Sequence, residues 1–140
     1  MRLCLAFFSL ALGCAMVVTA DEHVMITEHR DANGKSTYWH ITRERLAQIP
    51  EWKPDVSLPL PIEKAAEKAT GWIKSRNTKF TELDIVSISL GKIWDSEMKN
   101  KWYYSVSVNG AVNVDGIRAN AFFSVIVLMD GTIVEPTSKE

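Results

Sequence analysis

Ile62, Ala65, Ala66, Ala69, Trp72 and Ile73 recur along one stripe of a 3.6-residue period, while Glu63, Lys64, Glu67, Lys68 and Lys74 take the other faces. This spacing predicts the main helix of the chain. Pro61 suits its first position, where a missing N–H is no loss, with Leu60 before it as the cap. Gly71 weakens a helix interior by about 1 kcal/mol relative to Ala. The two bulky residues after it suggest close packing as its purpose. Beyond the helix the period falls to two. Over residues 84–90, Val86, Ile88 and Leu90 share a face against Ser87 and Ser89; then Trp102, Tyr104, Val106 and Val108 share one against Tyr103, Ser105 and Ser107. Both read as half-buried strands.

Asp115-Gly116 is a two-residue hairpin signal of type I′. A ladder centred there pairs Val108 with Phe123, Val106 with Val125, Tyr104 with Val127 and Trp102 with Met129, and sets Ser107 against Ser124. A slip of one residue would put serines against apolar residues, so the pattern specifies the register. Asp130-Gly131 turns the chain into a short last strand, residues 132–135, stopped by Pro136. Upstream, residues 23–42 read as a β-hairpin around Asn33-Gly34, and residues 43–49 as a short helix capped by Thr42. Pro50, Pro54, Pro59 and Pro61 make residues 50–61 an extended connector.

The expected fold is α+β: one main helix packed on an antiparallel β-meander of about four strands, preceded by an N-terminal β-hairpin. Residues 62–136 form the helix-plus-meander core, one domain with the hairpin and short helix of residues 21–49. The helix face is expected to cover Trp102, Val106 and Phe123. The serine face is expected to be wet, interrupted by Phe122, Ile126 and Leu128.

The first twenty residues change the setting. Arg2, an uncharged apolar run and then Val18-Thr19-Ala20 read as a signal peptide cut before Asp21. The run is shorter than the roughly 20 apolar residues a membrane anchor needs. Localisation is therefore expected to be secreted or periplasmic, with no transmembrane segment after cleavage. The alternative is a lipoprotein held through Cys14. Gly13 suits the position before a lipid-bearing cysteine, and Ala11 stands where that signal normally has Leu. Cys4 and Cys14 are the chain's two cysteines, and both precede the cut. The mature chain would be roughly 120 residues, one domain without thiols or disulfides. That leans towards a bacterial exported protein, since small animal extracellular domains are usually disulfide-bonded.

A formal net charge of −1 gives no electrostatic footprint for nucleic acid. Thiol chemistry leaves with the signal peptide, and no Asn-x-Ser/Thr acceptor occurs. A serine nucleophile would need a histidine base, and His23, His29 and His40 all fall in the front hairpin, with no nucleophile-elbow motif in the chain. Gly34-Lys35-Ser36 lacks the upstream glycine of a phosphate loop, and Asp31-Ala32-Asn33 lacks the ligands that complete a calcium loop. No spacing among Asp84, Asp95 and Glu97 specifies an acid/base pair. No cofactor is expected.

What remains is binding chemistry. His29 and His40 flank the Asn33-Gly34 turn and could meet across strands, with Glu28 and Asp31 the nearest further ligands for zinc. A mature start at Asp21-Glu22-His23 would enclose Cu(II) or Ni(II) between amine, amides and imidazole. Trp39, Trp52 and Trp94 border polar or proline-rich segments, as aromatics of peptide- and sugar-binding surfaces do. The competing reading has Trp52 pinning the connector to the sheet and Trp94 packing against Trp102.

Ile62-Glu63-Lys64-Ala65-Ala66 with its helix, Ile85-Val86-Ser87-Ile88, Trp102-Tyr103-Tyr104-Ser105-Val106 and Val127 to Val134 around Asp130-Gly131 together resemble the small exported PepSY-type domain over about residues 60 to 136. Cystatin-like folds share this outline of topology and spacing. The resemblance implies a non-catalytic regulator of an exported peptidase, or a sensor domain. The expectation is a non-enzymatic module engaging an exported protein or peptide through an open sheet edge or aromatic loops. The alternative is a metal-ion or small-molecule binding protein using the histidine hairpin.

Overall fold

The computed structural model describes residues 22–138. The expected signal peptide, both cysteines and Asp21 lie outside them. The elements are β1 (His23–Arg30), β2 (Ser36–Thr42), α1 (Arg43–Gln48), α2 (Ile62–Arg76), β3 (Phe80–Lys92), β4 (Trp102–Val114), β5 (Ile117–Leu128), β6 (Ile133–Val134) and β7 (Pro136–Ser138). The described residues are mixed α and β with antiparallel sheets, and about half of them are strand. The expected single meander is too simple. The described residues form two sheets, ordered β1-β2-β7 and β3-β4-β5-β6.

The turns explain most of the register. Asp115 and Gly116 both have positive φ, 51° and 82°, as a type I′ turn requires. β4 and β5 then pair from Val114↔Ile117 to Tyr103↔Leu128 in the register read from the sequence. Trp102 lies one residue past this ladder and pairs with Lys92 of β3 instead of Met129. In the front hairpin, Asp31 Oδ1 accepts the N–H groups of Asn33 and Lys35, both at 2.9 Å, and Gly34 takes φ 82°.

β3 departs from its expected alternation. A bulge between Ile85 and Ser87 leaves Val86 out of the ladder and 59% exposed, while Ile85 pairs with Val108 and Ile88 with Val106. Pro136 does not end the chain's strands. It opens β7 and pairs with Trp39, at a first strand position where a missing N–H is tolerated. The front hairpin thereby gains the C-terminal strand as its third member.

Helix α2 buries Ala65, Ala69 and Ile73 in one cluster with Tyr104, Val106, Val108, Val125 and Val127. Pro61 is its N-cap and not its first residue; the Pro61 carbonyl accepts from Lys64 and Ala65. A Cβ on Gly71 would meet nothing within 4 Å, so close packing does not explain that glycine. Ile126 and Leu128 face away from α2 by strand alternation, yet both are fully buried. They share the cluster with Trp39, Ile41, Leu46 and Ile49, so the first sheet and α1 cover this end of the serine face.

Polar ties fix the layers. Lys101 is buried, and its Nζ donates to the carbonyls of Ala47 (3.2 Å) and Ile49 (2.5 Å) at the end of α1. This places a cation where helix carbonyls are unsatisfied. Tyr104 donates its hydroxyl to the Leu60 carbonyl at 2.8 Å and so anchors the connector.

Candidate functional site

The β5–β6 pairing is brief, and the chain opens a cleft where it ends. Ile126 pairs with Val134 and Val127 with Ile133. Extending that register would lay Pro136 beside Ser124 and Ser138 beside Phe122. After Glu135, however, the chain leaves β5 and pairs with β2 as β7. The two diverging edges leave a cavity of about 410 Å³, lined by Phe122, Phe123 and Ser124 of β5 and by Pro136 and Ser138 of β7. Trp39, Trp72, Thr37, His29 and Ser107 complete its walls. Pockets of this size hold small ligands or a few side chains.

Backbone groups along this edge are free in a definite phase. Leu128 donates its N–H to Thr132 across the β5–β6 turn at 2.9 Å. In an antiparallel strand alternate residues direct N–H and C=O to the same side. Ser124 and Phe122 therefore aim theirs into the cleft, while Phe123 and Val125 aim theirs at β4. Among the described residues, β5 has no strand partner on the cleft side before Ile126.

Two buried polar atoms in this region are unpartnered. Trp39 is 3% exposed, and its Nε1 has no hydrogen-bond acceptor. Asn109 Oδ1, on the cross-strand partner of Phe122, accepts no hydrogen bond. Leaving such a group unpaired costs about 1–3 kcal/mol. The indole donor left open in the cleft wall beside a free strand edge fits a ligand that offers a carbonyl, as a peptide backbone does. Phe122 is 77% exposed at the mouth.

The sequence-selected tryptophans have three different fates. Trp39 lines the cleft as a buried wall. Trp52 pins the connector: its ring meets Trp102 edge-on at 5.1 Å, its carbonyl accepts from Trp102 Nε1 at 3.0 Å, and its own Nε1 donates to Val56. Trp94 is 81% exposed and does not pack on Trp102; the Lys92 ammonium lies 5.1 Å from the Trp94 ring and 5.7 Å from the Trp102 ring. Trp72, read from the sequence as packing, does pack half-buried against the core cluster and also lines the cleft, with the Arg76 guanidinium over its ring. Phe122 was legible only as an interruption of the serine face.

The histidines divide between two faces. His29 pairs with Thr37 and lines the cleft, whereas Met25 pairs with His40 on the opposite face of the first sheet. The expected meeting of His29 with His40 does not occur. His23 is the one that meets His40, edge-on at 5.2 Å between ring centres. No group of three His, Cys, Asp or Glu side chains placed to share an ion occurs among the described residues. His29 shares the cleft with Ser107 and Ser124, but no hydrogen bond joins its ring to either hydroxyl among the described residues.

Two of the three acidic residues singled out from the sequence, Asp95 and Glu97, are tied up in one ion-pair cluster. Asp95 Oδ1 accepts the N–H groups of Glu97 and Met98, both at 2.9 Å, and Asp95 and Glu97 bracket the Arg43 guanidinium. Arg43 Nε lies 3.0 Å from Glu22 but out of line for a hydrogen bond. The backbone N–H groups, then Arg43, hold Asp95 below the usual carboxylate range despite its burial. Burial would raise Asp130, but hydrogen bonds from Thr132 and Arg45 outweigh it and hold that carboxyl low. Asp84 stands exposed on β3. No helix among the described residues is long and apolar enough to cross a membrane. No family model, no curated protein and no solved structure matches the chain.

Proposed function

We propose that this chain is an exported, non-enzymatic binding module that receives an extended peptide segment of a partner protein along the free edge of β5. The observation that carries this reading is the divergence of β7 from β5, which leaves the N–H and C=O groups of Phe122 and Ser124 open inside an aromatic-walled cleft. Strand addition supplies affinity through the main chain and selectivity through alternate side chains. Trp39 Nε1 offers a donor to a guest carbonyl, and Trp72, Phe122 and Phe123 offer apolar contact. The order of α2 and the strands after it also supports the PepSY-type resemblance, and with it a regulatory role. Export through residues 1–20, with lipidation at Cys14 as the alternative, belongs to the same reading.

The test is selection of random peptides on wild-type protein, followed by binding to Ser124→Pro. Ser124 directs no N–H to β4, so proline there removes a cleft donor and spares the ladder. Selected peptides are expected to lose at least about tenfold in affinity, near 1.4 kcal/mol. Equal binding to both proteins, or no enriched sequence, would overturn the reading.

A further inference from the structure

We propose that the outer face of the first sheet holds a soft monovalent metal ion, Cu(I) or Ag(I), between His23, His40 and the thioether of Met25. This site is on the opposite side of the sheet from the Trp39 wall of the cleft and does not depend on the peptide reading. Met25 lies directly across the strand pair from His40, and His23 is its neighbour two residues back on the same face. Directly opposed residues in an antiparallel pair have Cβ atoms about 5 Å apart. All three side chains line one open cavity, with Tyr38 and Thr137 beside them.

The geometry of the two rings suits a shared ion. Imidazoles bound at about 2 Å with a near-tetrahedral angle between them bring their ring centres to about 5 Å. His23 and His40 stand 5.2 Å apart, centre to centre. The hydrogen bonds around His40 also select its tautomer. Thr137 Oγ1 lies 3.2 Å from the Tyr38 carbonyl and 3.4 Å from His40 Nδ1; with its single proton on the carbonyl, it accepts from Nδ1. Nδ1 therefore carries the proton, and Nε2 keeps its lone pair for a ligand. Metal-bound histidines are oriented by this kind of outer hydrogen bond.

Ligand chemistry selects the metal. Two neutral imidazoles and a thioether carry no negative charge and suit a soft ion; zinc prefers a fourth donor, and hard cations prefer oxygen. Met25 is 58% exposed, so its thioether is open to an ion from solvent. A Cu(I) ion bound here would also stitch β1 to β2.

The experiment is anaerobic Cu(I) titration of the exported protein against a chromophoric competitor, beside Met25→Leu, His40→Gln and Thr137→Val. Neither Met25 nor His40 belongs to an N-terminal amine–imidazole copper motif, so these variants separate the two sites. One equivalent is expected to bind, with the Met25 methyl resonance shifting in NMR. Met25→Leu and His40→Gln should each weaken binding at least tenfold, and Thr137→Val about tenfold. Zn(II) should bind more weakly and be indifferent to Met25→Leu. Wild-type Cu(I) affinity in both Met25→Leu and His40→Gln, or an unmoved Met25 resonance, would overturn the proposal. All three positions are at least partly exposed, and thermal melts of each variant verify folding.

Discussion

Leu128 donates its N–H to the carbonyl of Thr132 at 2.9 Å, and this bond sets the phase of the whole β5 edge. Counting back by twos, Ser124 and Phe122 face the cleft with their backbone groups, and Val125 and Phe123 face β4. Two proline substitutions one residue apart should therefore behave differently. Ser124→Pro should fold with a loss of about 1 kcal/mol or less, whereas Val125→Pro, which breaks a central ladder bond, should lose about 3 kcal/mol or more. Urea denaturation of both measures the difference. Equal losses would mean that the edge has another phase.

Glycines 71 and 91 should respond in opposite directions. Gly71 has a helical backbone and open space where a Cβ would go, so Gly71→Ala should raise stability by about 1 kcal/mol. At Gly91 a Cβ would collide with the outer end of the Tyr103 ring, which covers that glycine across the strands and would have to shift. Gly91→Ala should lower stability by about 1–3 kcal/mol through overpacking. Thermal melts of the two variants suffice.

Lys101 should act as a structural cation. Replacing it by Met keeps the stem but strips the Ala47 and Ile49 carbonyls of their donor. A loss of about 2–3 kcal/mol is expected, from hydrogen bonds made by a charged group. Chemical denaturation checks it; an unchanged midpoint would mean that water replaces the ammonium.

Acid should destabilise the fold through two carboxylates. Asp95 and Asp130 are both held below the ordinary value of 3.8. A depressed folded-state value contributes stability that is present above the unfolded value and is lost as pH falls through the folded one. Melting temperature should change little through Asp95 and Asp130 above about pH 5, and fall below about pH 4. Asp95→Asn and Asp130→Asn should melt lower at neutral pH and show a flatter acid limb. A wild-type slope in both would contradict this assignment.

Much of the second sheet was legible because turn chemistry and patterning agreed there. Asp115-Gly116 and the valines and serines on either side specify one register, and the fold adopts it. Local patterns could not show where non-local strands go. The bulge at Val86 breaks the alternation without any glycine or proline to mark it. Pro136 reads locally as a stop, yet it begins the strand that closes the first sheet, because Trp39 and Tyr38 offer an open edge from far upstream. The cleft results from that choice, which is why Trp39 was legible as a candidate for the wrong setting and Phe122 and Ser124 were not selected. The histidines show the same limit. Sequence distance from a turn suggested His29 and His40, while strand alternation puts His29 on one face and His23, Met25 and His40 on the other.

Residues 1–20 make a separate prediction about the exported form. Intact mass should begin at Asp21, and the Asp21-Glu22-His23 amine motif would then compete with the sheet face for the His23 imidazole. A lipid-bearing mass beginning at Cys14 would replace the soluble form with a membrane-tethered one.

The most direct measurement is residue-resolved amide hydrogen exchange, made on the free protein and again with the tightest selected peptide. Phe123 and Val125 should be protected in both states, whereas Phe122 and Ser124 should exchange freely alone and become protected in the complex. Protection that arises elsewhere, with Phe122 and Ser124 unchanged, would contradict strand addition at β5.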